Sequence, residues 1–245
     1  MTLFIVLAIL LIGALFLKNR FFDYFVLFLL FFLMAFRWTV GYDFNEYFSA
    51  YINAKMGNFD LIRFEQIYKL VYFFAAEFNS PRFFFIVTSI AFFAFTTMLA
   101  YRTRTRVILL LFVLYFTGVY FNGMNQTRQV LASLVFLIAI KDLIDKSYLK
   151  YFILISFATL LHNSSIYLFF LPLLVHFLRN RSFLILVIIQ LLSFFLYEYV
   201  ISFMEYLTNQ ISFLNRYQYH FADIYTRMDF VNYLAKGYRN LFLLI

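Results

Sequence analysis

Arg128 lies in the run Asn125-Gln126-Thr127-Arg128-Gln129, and His162 opens the run His162-Asn163-Ser164-Ser165. Upstream, Arg37 precedes Trp38-Thr39-Val40-Gly41-Tyr42-Asp43. A guanidinium presents a planar fork of donors that fits phosphate oxygens, so Arg37, Arg128 and Arg216 are candidates for holding an anionic substrate. A carboxylate or an imidazole can act as a general base, which makes Asp43 and His162 candidates for that role. Asn125 and Gln129 offer amides that can both donate to and accept from a polar ligand. Glu65 and the Tyr-rich stretch around it offer a carboxylate and flat aromatic faces. Each residue has a plainer reading beside this one. Arg37 and Arg128 can snorkel to lipid phosphates, Arg216 can be a surface charge, and Asp43 can cap a following helix. Asn125 can simply shape a turn, and His162 can be hydrogen-bonded between helices.

Several chemistries are absent from the pattern. The chain has no HExxH, no phosphate-binding Walker loop and no GxSxG elbow. It also lacks paired aspartates in an internal loop that would hold a metal and a nucleotide-sugar. Neither a metal nor a cofactor is expected. Cysteine is missing altogether, which removes thiolate sites and disulfides.

The elements that must position these groups are read from the apolar runs. Hydrophobic residues make up 65% of the 245 positions and charged residues only 13%, too few to cover a soluble domain of this size. Apolar runs recur along the whole chain, so the expected fold is a single all-α polytopic membrane domain. About eight transmembrane or half-membrane helices are expected. The net charge of +8 sits mostly at the ends of apolar runs, where it orients spans, and no nucleic acid is expected as a partner. Residues 1–17 lack a basic leader and a small-residue cleavage site and read as a first span.

Residues 3–17 and 21–36 flank a basic turn at Lys18-Asn19-Arg20, placed in the cytoplasm. The outer loop covers about 41–80. Within it, residues 61–78 contain Arg63, Glu65, Lys69 and Glu77, and mid-bilayer charges cost at least about 2.5 kcal/mol each on insertion scales. Leu61, Phe64, Tyr68, Val71, Tyr72, Ala75 and Phe78 recur at helical spacing and predict an amphipathic surface helix instead. A shorter one is expected near 44–56, ending at Gly57. Ser80-Pro81 is the expected start of a third span, to about Ala100.

After the basic turn at Arg102, Arg104 and Arg106, residues 107–121 return outward, 122–128 form a short external loop, and 129–140 go back. Residues 151–177 are either one span or two short helices, 151–161 and 164–178, broken at His162-Asn163. The second keeps Arg179 and Arg181 inside with the other basic turns, and is favoured. Its break then lies at membrane depth, tolerable where it lines a cavity. A further span, 183–203, leads to an external segment at about 205–237. The apolar run 238–245 is too short to cross, so the chain reads as shortened at its C-terminus.

Taken with their order, these runs resemble the EpsG/Wzy family of bacterial polysaccharide polymerases. The carriers are Arg37 through Asp43 with Tyr47, Asn125 through Gln129 with Ala132, and Ala158 through Ser165 with Pro172; Glu65 and Tyr68 resemble a weaker feature. The resemblance implies extracytoplasmic joining of undecaprenyl-diphosphate-linked oligosaccharide repeat units into surface polysaccharide, a metal-independent glycosyl transfer. It implies catalytic roles for Asp43, Arg128 and His162. Arg37, Tyr42, Tyr47, Glu65, Asn125, Gln129 and Arg216 would bind substrate. It places the chain in the inner membrane, its active face periplasmic or extracellular, beside membrane lipid, a flippase and a chain-length regulator. A flippase for lipid-linked saccharide and a membrane-bound acyltransferase are the competing readings. The first would want polar groups at several membrane depths, and the second would leave the outer arginines without a task.

Overall fold

A computed structural model describes residues 2–17, 19–37 and 43–178, with side chains omitted for 2–4 and 178. The chain forms two compact units, residues 1–175 and 176–245, and the candidate functional residues described below all belong to the first. The described residues are all-helical, without a strand. The helices are α1 (Thr2–Leu17), α2 (Arg20–Ala35), α3 (Phe44–Lys55), α4 (Gln66–Glu77), α5 (Phe83–Thr103), α6 (Val107–Phe116), α7 (Val119–Asn125), α8 (Thr127–Ile144), α9 (Tyr148–Leu161) and α10 (Leu171–Leu178). Two 3-10 helices, Phe59–Leu61 and Asn163–Phe170, join them.

Local chemistry sets several of these ends. Asn19 caps α2, its side-chain oxygen accepting from the backbone N–H of Phe21 at 2.9 Å. At the end of α4, Asn79 adopts a left-handed conformation, and Ser80 N–H returns to Ala75 C=O while Asn79 N–H returns to Ala76 C=O. That pair of bonds satisfies carbonyls the helix would otherwise leave open. Asn79 Oδ1 also accepts from Tyr51 and from Lys55 Nζ, fastening α3 to the turn.

α8 is the central strut, packing on α5 and α9, while α2 lies on α5 and α1 on α6. The core is aliphatic between α1, α2, α6 and α8, with Leu11, Leu30, Leu111 and Leu134 fully enclosed, and aromatic where α3 and α4 meet α5. There Tyr72 stacks on Phe84 with ring centroids 4.8 Å apart, as does Tyr47 at the same distance.

The surface helices differ from the expected ones in extent. The predicted 61–78 helix is four residues of non-helical chain and then α4. Ile62 and Phe64 are buried and Arg63 exposed, a period-two pattern that belongs to extended chain, and Leu61 and Phe78 are exposed. α5 begins at Phe83, not at Ser80-Pro81, and Ser80 contributes its carbonyl to Phe83 N–H. The predicted span 107–121 bends by 73° between α6 and α7, at Gly118 with φ +79°. The expected loop 122–128 is therefore mostly the end of α7 and the start of α8.

The break after Leu161 is present: His162 is extended at φ −158° and ψ 116°, and a 3-10 helix resumes at Asn163. Among the described residues α5 is long and apolar enough to cross a bilayer alone, and the bent α6–α7 pair qualifies if taken as one span. α1, α9 and residues 163–177 are apolar but shorter. The expected span at 183–203, the loop at 205–237 and the run 238–245 lie outside the described residues.

Candidate functional site: one carboxylate between a guanidinium and an imidazole

Three distant segments meet at Glu65. Its residue lies just before α4, where a side chain would normally cap the helix, yet it makes no capping bond. The carboxylate turns the other way. Oε2 accepts from Arg128 Nη1 at 2.9 Å, and Oε1 accepts from the backbone N–H of Asn163 at 3.1 Å. Oε1 also lies 3.2 Å from His162 Nδ1. The break between α9 and the 3-10 helix exposes the Asn163 N–H to it, so the carboxylate serves as the cap that the resumed helix lacks.

The protonation pattern follows from this geometry. Burial alone would push the Glu65 pKa up, but the His162 hydrogen bond and the Arg128 charge outweigh it and hold the carboxyl at about 2. An ionised carboxylate only accepts, so Nδ1 of His162 must donate. In the neutral ring, Nε2 then carries the lone pair.

Arg128 is the second residue of α8, fixed from below as well as from the side. Its guanidinium carbon lies 4.2 Å from the centroid of the Phe64 ring, a cation–π contact supplied by the extended segment before Glu65. The side chains of Arg128 and His162 remain 21% and 27% exposed, while that of Glu65 is 6% exposed. The basic and cationic groups thus present their open sides above a covered carboxylate.

Around this centre the other candidates take separate positions. The Tyr47 hydroxyl donates to the Asn125 carbonyl at 2.8 Å, tying α3 to the end of α7. Gln129 is exposed on α8 beside Arg128. Asp43 stands at the N-cap of α3, where its side chain makes no capping bond, and lies near enough to Tyr47 to raise its hydroxyl pKa, behind burial as the larger cause.

Arg37, expected at the headgroup level, is enclosed instead at 4% exposure. It donates to Met34 C=O at 2.8 Å and to Thr127 Oγ1 at 3.1 Å, with its guanidinium carbon 4.5 Å from the Phe85 ring centroid. Thr127 in turn donates to Gly123 C=O, so Arg37 joins the ends of α2 and α7 to the residue before Arg128. Tyr42 and Arg216 lie outside the described residues. Sequence reasoning gave Phe64, Thr127 and the Asn163 N–H no part in the site. Their signals were present: Thr127 and Asn163 stand inside the two polar runs, and Phe64 adjoins the charge within the Tyr-rich stretch.

The runs that contribute Arg128 and His162, and the Glu65 segment that joins them, all fall within a stretch that matches a family model for the EpsG family over residues 20–244. The chain belongs to the EpsG family. No curated protein and no solved structure matches it. EpsG membership supports a role of polymerase type in polysaccharide biosynthesis, and association with a membrane. Within this EpsG-family chain, Glu65, Arg128 and His162 are brought together from three separate segments.

Proposed function

We propose that this EpsG protein polymerises lipid-linked oligosaccharide repeat units at the outer face of the bacterial inner membrane. The observation that carries the reading is the Glu65 carboxylate bonded at once to Arg128 and to His162. The growing chain is joined through its anomeric carbon to undecaprenyl diphosphate, and a hydroxyl of an incoming unit attacks that carbon. A new glycosidic C–O bond forms as the bond to the diphosphate oxygen breaks, its electron pair leaving with the lipid diphosphate. The hydroxyl proton passes to Nε2 of His162, with Glu65 across the ring stabilising the imidazolium. Arg128 meets the departing charge, aided by the N-terminal end of α8. Asn125 and the exposed Gln129 face the approach for sugar hydroxyls, and buried Tyr47 holds the Asn125 carbonyl.

The chain in this reading is a polytopic membrane protein, its α3–α4 layer lying on the outer surface. The lipid solvent is supported by large apolar side chains that face outward: Phe16 is 81% exposed, Phe21 82% and Leu149 75%. Water would penalise so many such groups, and acyl chains do not. Both substrates are anchored in the same bilayer, and a flippase that delivers units and a chain-length regulator are the partners proposed.

Gene deletion tests the reading. Polymerase loss should leave single repeat units on their carrier at the outer leaflet and no long surface chains. Units trapped inside would make the protein a transporter, and unchanged chain length with lost acyl groups would make it an acyltransferase.

A further inference from the structure

Arg128 is engaged by a carboxylate of the protein itself. Nη1 donates to one oxygen of Glu65, while the other oxygen faces His162 Nδ1 and accepts from Asn163 N–H. One negative charge is therefore shared between a permanent cation and an imidazole, and the carboxylate is the most covered of the three. A substrate arriving from the open side meets the arginine and the histidine before the carboxylate. A diphosphate carries more charge than a carboxylate and offers oxygens for both arms of the fork, so it competes for the guanidinium.

Resting on the polymerase reading, we propose that Glu65 is a positioning residue that couples donor binding to base action, the lipid diphosphate drawing Arg128 off Glu65 and leaving the carboxylate to His162 alone. With Arg128 on Glu65, the one carboxylate charge is divided between the guanidinium and the imidazole. With the donor seated, guanidinium faces diphosphate and carboxylate faces imidazole, so the proton released by the attacking hydroxyl arrives where a full negative charge awaits it. The base is thereby armed only when there is an anomeric carbon to attack.

The coupling makes an unusual demand of Glu65→Gln in the full-length protein. The amide oxygen still accepts from Asn163 N–H and His162, but the carboxylate no longer competes for Arg128. Undecaprenyl diphosphate, added alone, should bind about tenfold more tightly, with a lower KM for the lipid-linked unit. Turnover should fall at least about 100-fold, the scale of lost general-base assistance. Weakened binding together with lost turnover would mark Glu65 as merely structural and overturn the coupling, as would unchanged values of both.

A second measurement needs no variant to fold. The chain has three histidines, so the ring nitrogens of His162 can be followed in 15N-histidine spectra. They should shift when undecaprenyl diphosphate is added without acceptor, and an unmoved spectrum at saturation would overturn the proposal. Wild-type protein that joins units while Glu65→Gln behaves structurally removes only the coupling. Wild-type protein that never joins them removes the polymerase reading and the coupling with it.

Discussion

Lysine in place of Arg128 would keep the charge opposite Glu65 and lose the fork. The protein should remain in the membrane at normal levels while turnover of lipid-linked units falls about 100-fold, the scale seen when one donor to a developing anion is removed. Arg128→Ala should differ in kind, because it leaves the buried Glu65 carboxylate without its cation. A cost of about 3 kcal/mol is expected, read as lower abundance and a lower melting temperature in detergent. Acid acts on the same group. The Glu65 pKa is lowered from its ordinary 4.5 to about 2, so the unfolded chain binds the proton first and the stability from this site is lost as pH falls from about 4.5 towards 2. The melting temperature should drop over that window, and Glu65→Gln should abolish the drop. Arg128 and His162 were legible because each stands in a short polar run between apolar stretches. The bonds to Glu65 were not, since they span sequence separations of 63 and 97 and arise only from how α4, α8 and α9 pack.

Among the elements, the bend between α6 and α7 depends on Gly118 at φ +79°. A Cβ there meets nothing within 4 Å, so Gly118→Ala suffers backbone strain alone, about 1–2 kcal/mol, and the melting temperature should fall by roughly 2–8 °C. An unchanged melting temperature would mean that the bend is not held in the left-handed conformation. Gly118 was not read as a breaker in the sequence because the apolar run passes through it undisturbed; hydropathy reports solvent, and a bend costs none of it. The helix predicted from residue 61 failed for a related reason. Leu61 and Phe64 fit a helical period by coincidence, whereas burial of Ile62 and Phe64 across an exposed Arg63 is the signature that governs. The break at His162 was legible because a polar pair interrupts an apolar run at a place where one continuous span would misplace the basic residues after it.

At the scale of the whole described unit, the basic turns are knit together away from the candidate site. Arg106 pairs with Asp23 at 2.8 Å and also donates to Ala14 and Leu15 carbonyls, and Arg102 pairs with Asp142. Arg128 opens α8 and Asp142 closes it, about 21 Å apart along the axis at 1.5 Å per residue. In the proposed orientation these ends face opposite compartments. The chain has no cysteine, so single substitutions can test this directly. Gln129→Cys should react with a membrane-impermeant thiol reagent in intact cells, and Arg104→Cys only after the membrane is opened. Labelling of Arg104→Cys from outside, and of Gln129→Cys only after the membrane is opened, would reverse the topology and place the arginine fork away from the polymer. The dominance of helix was legible from the apolar runs that recur along the chain, but the number of crossings was not, because several apolar helices here are shorter than a bilayer is thick.

The sharing of one carboxylate among three segments also orders the biogenesis of the protein. Glu65 leaves the ribosome 63 residues ahead of Arg128 and 97 ahead of His162. During that interval its charge has neither partner and must stay hydrated, so the α3–α4 layer closes over Glu65 only after α8 and α9 have been made. Completion of the candidate site and closure of the α3–α4 layer are, for this chain, the same late event.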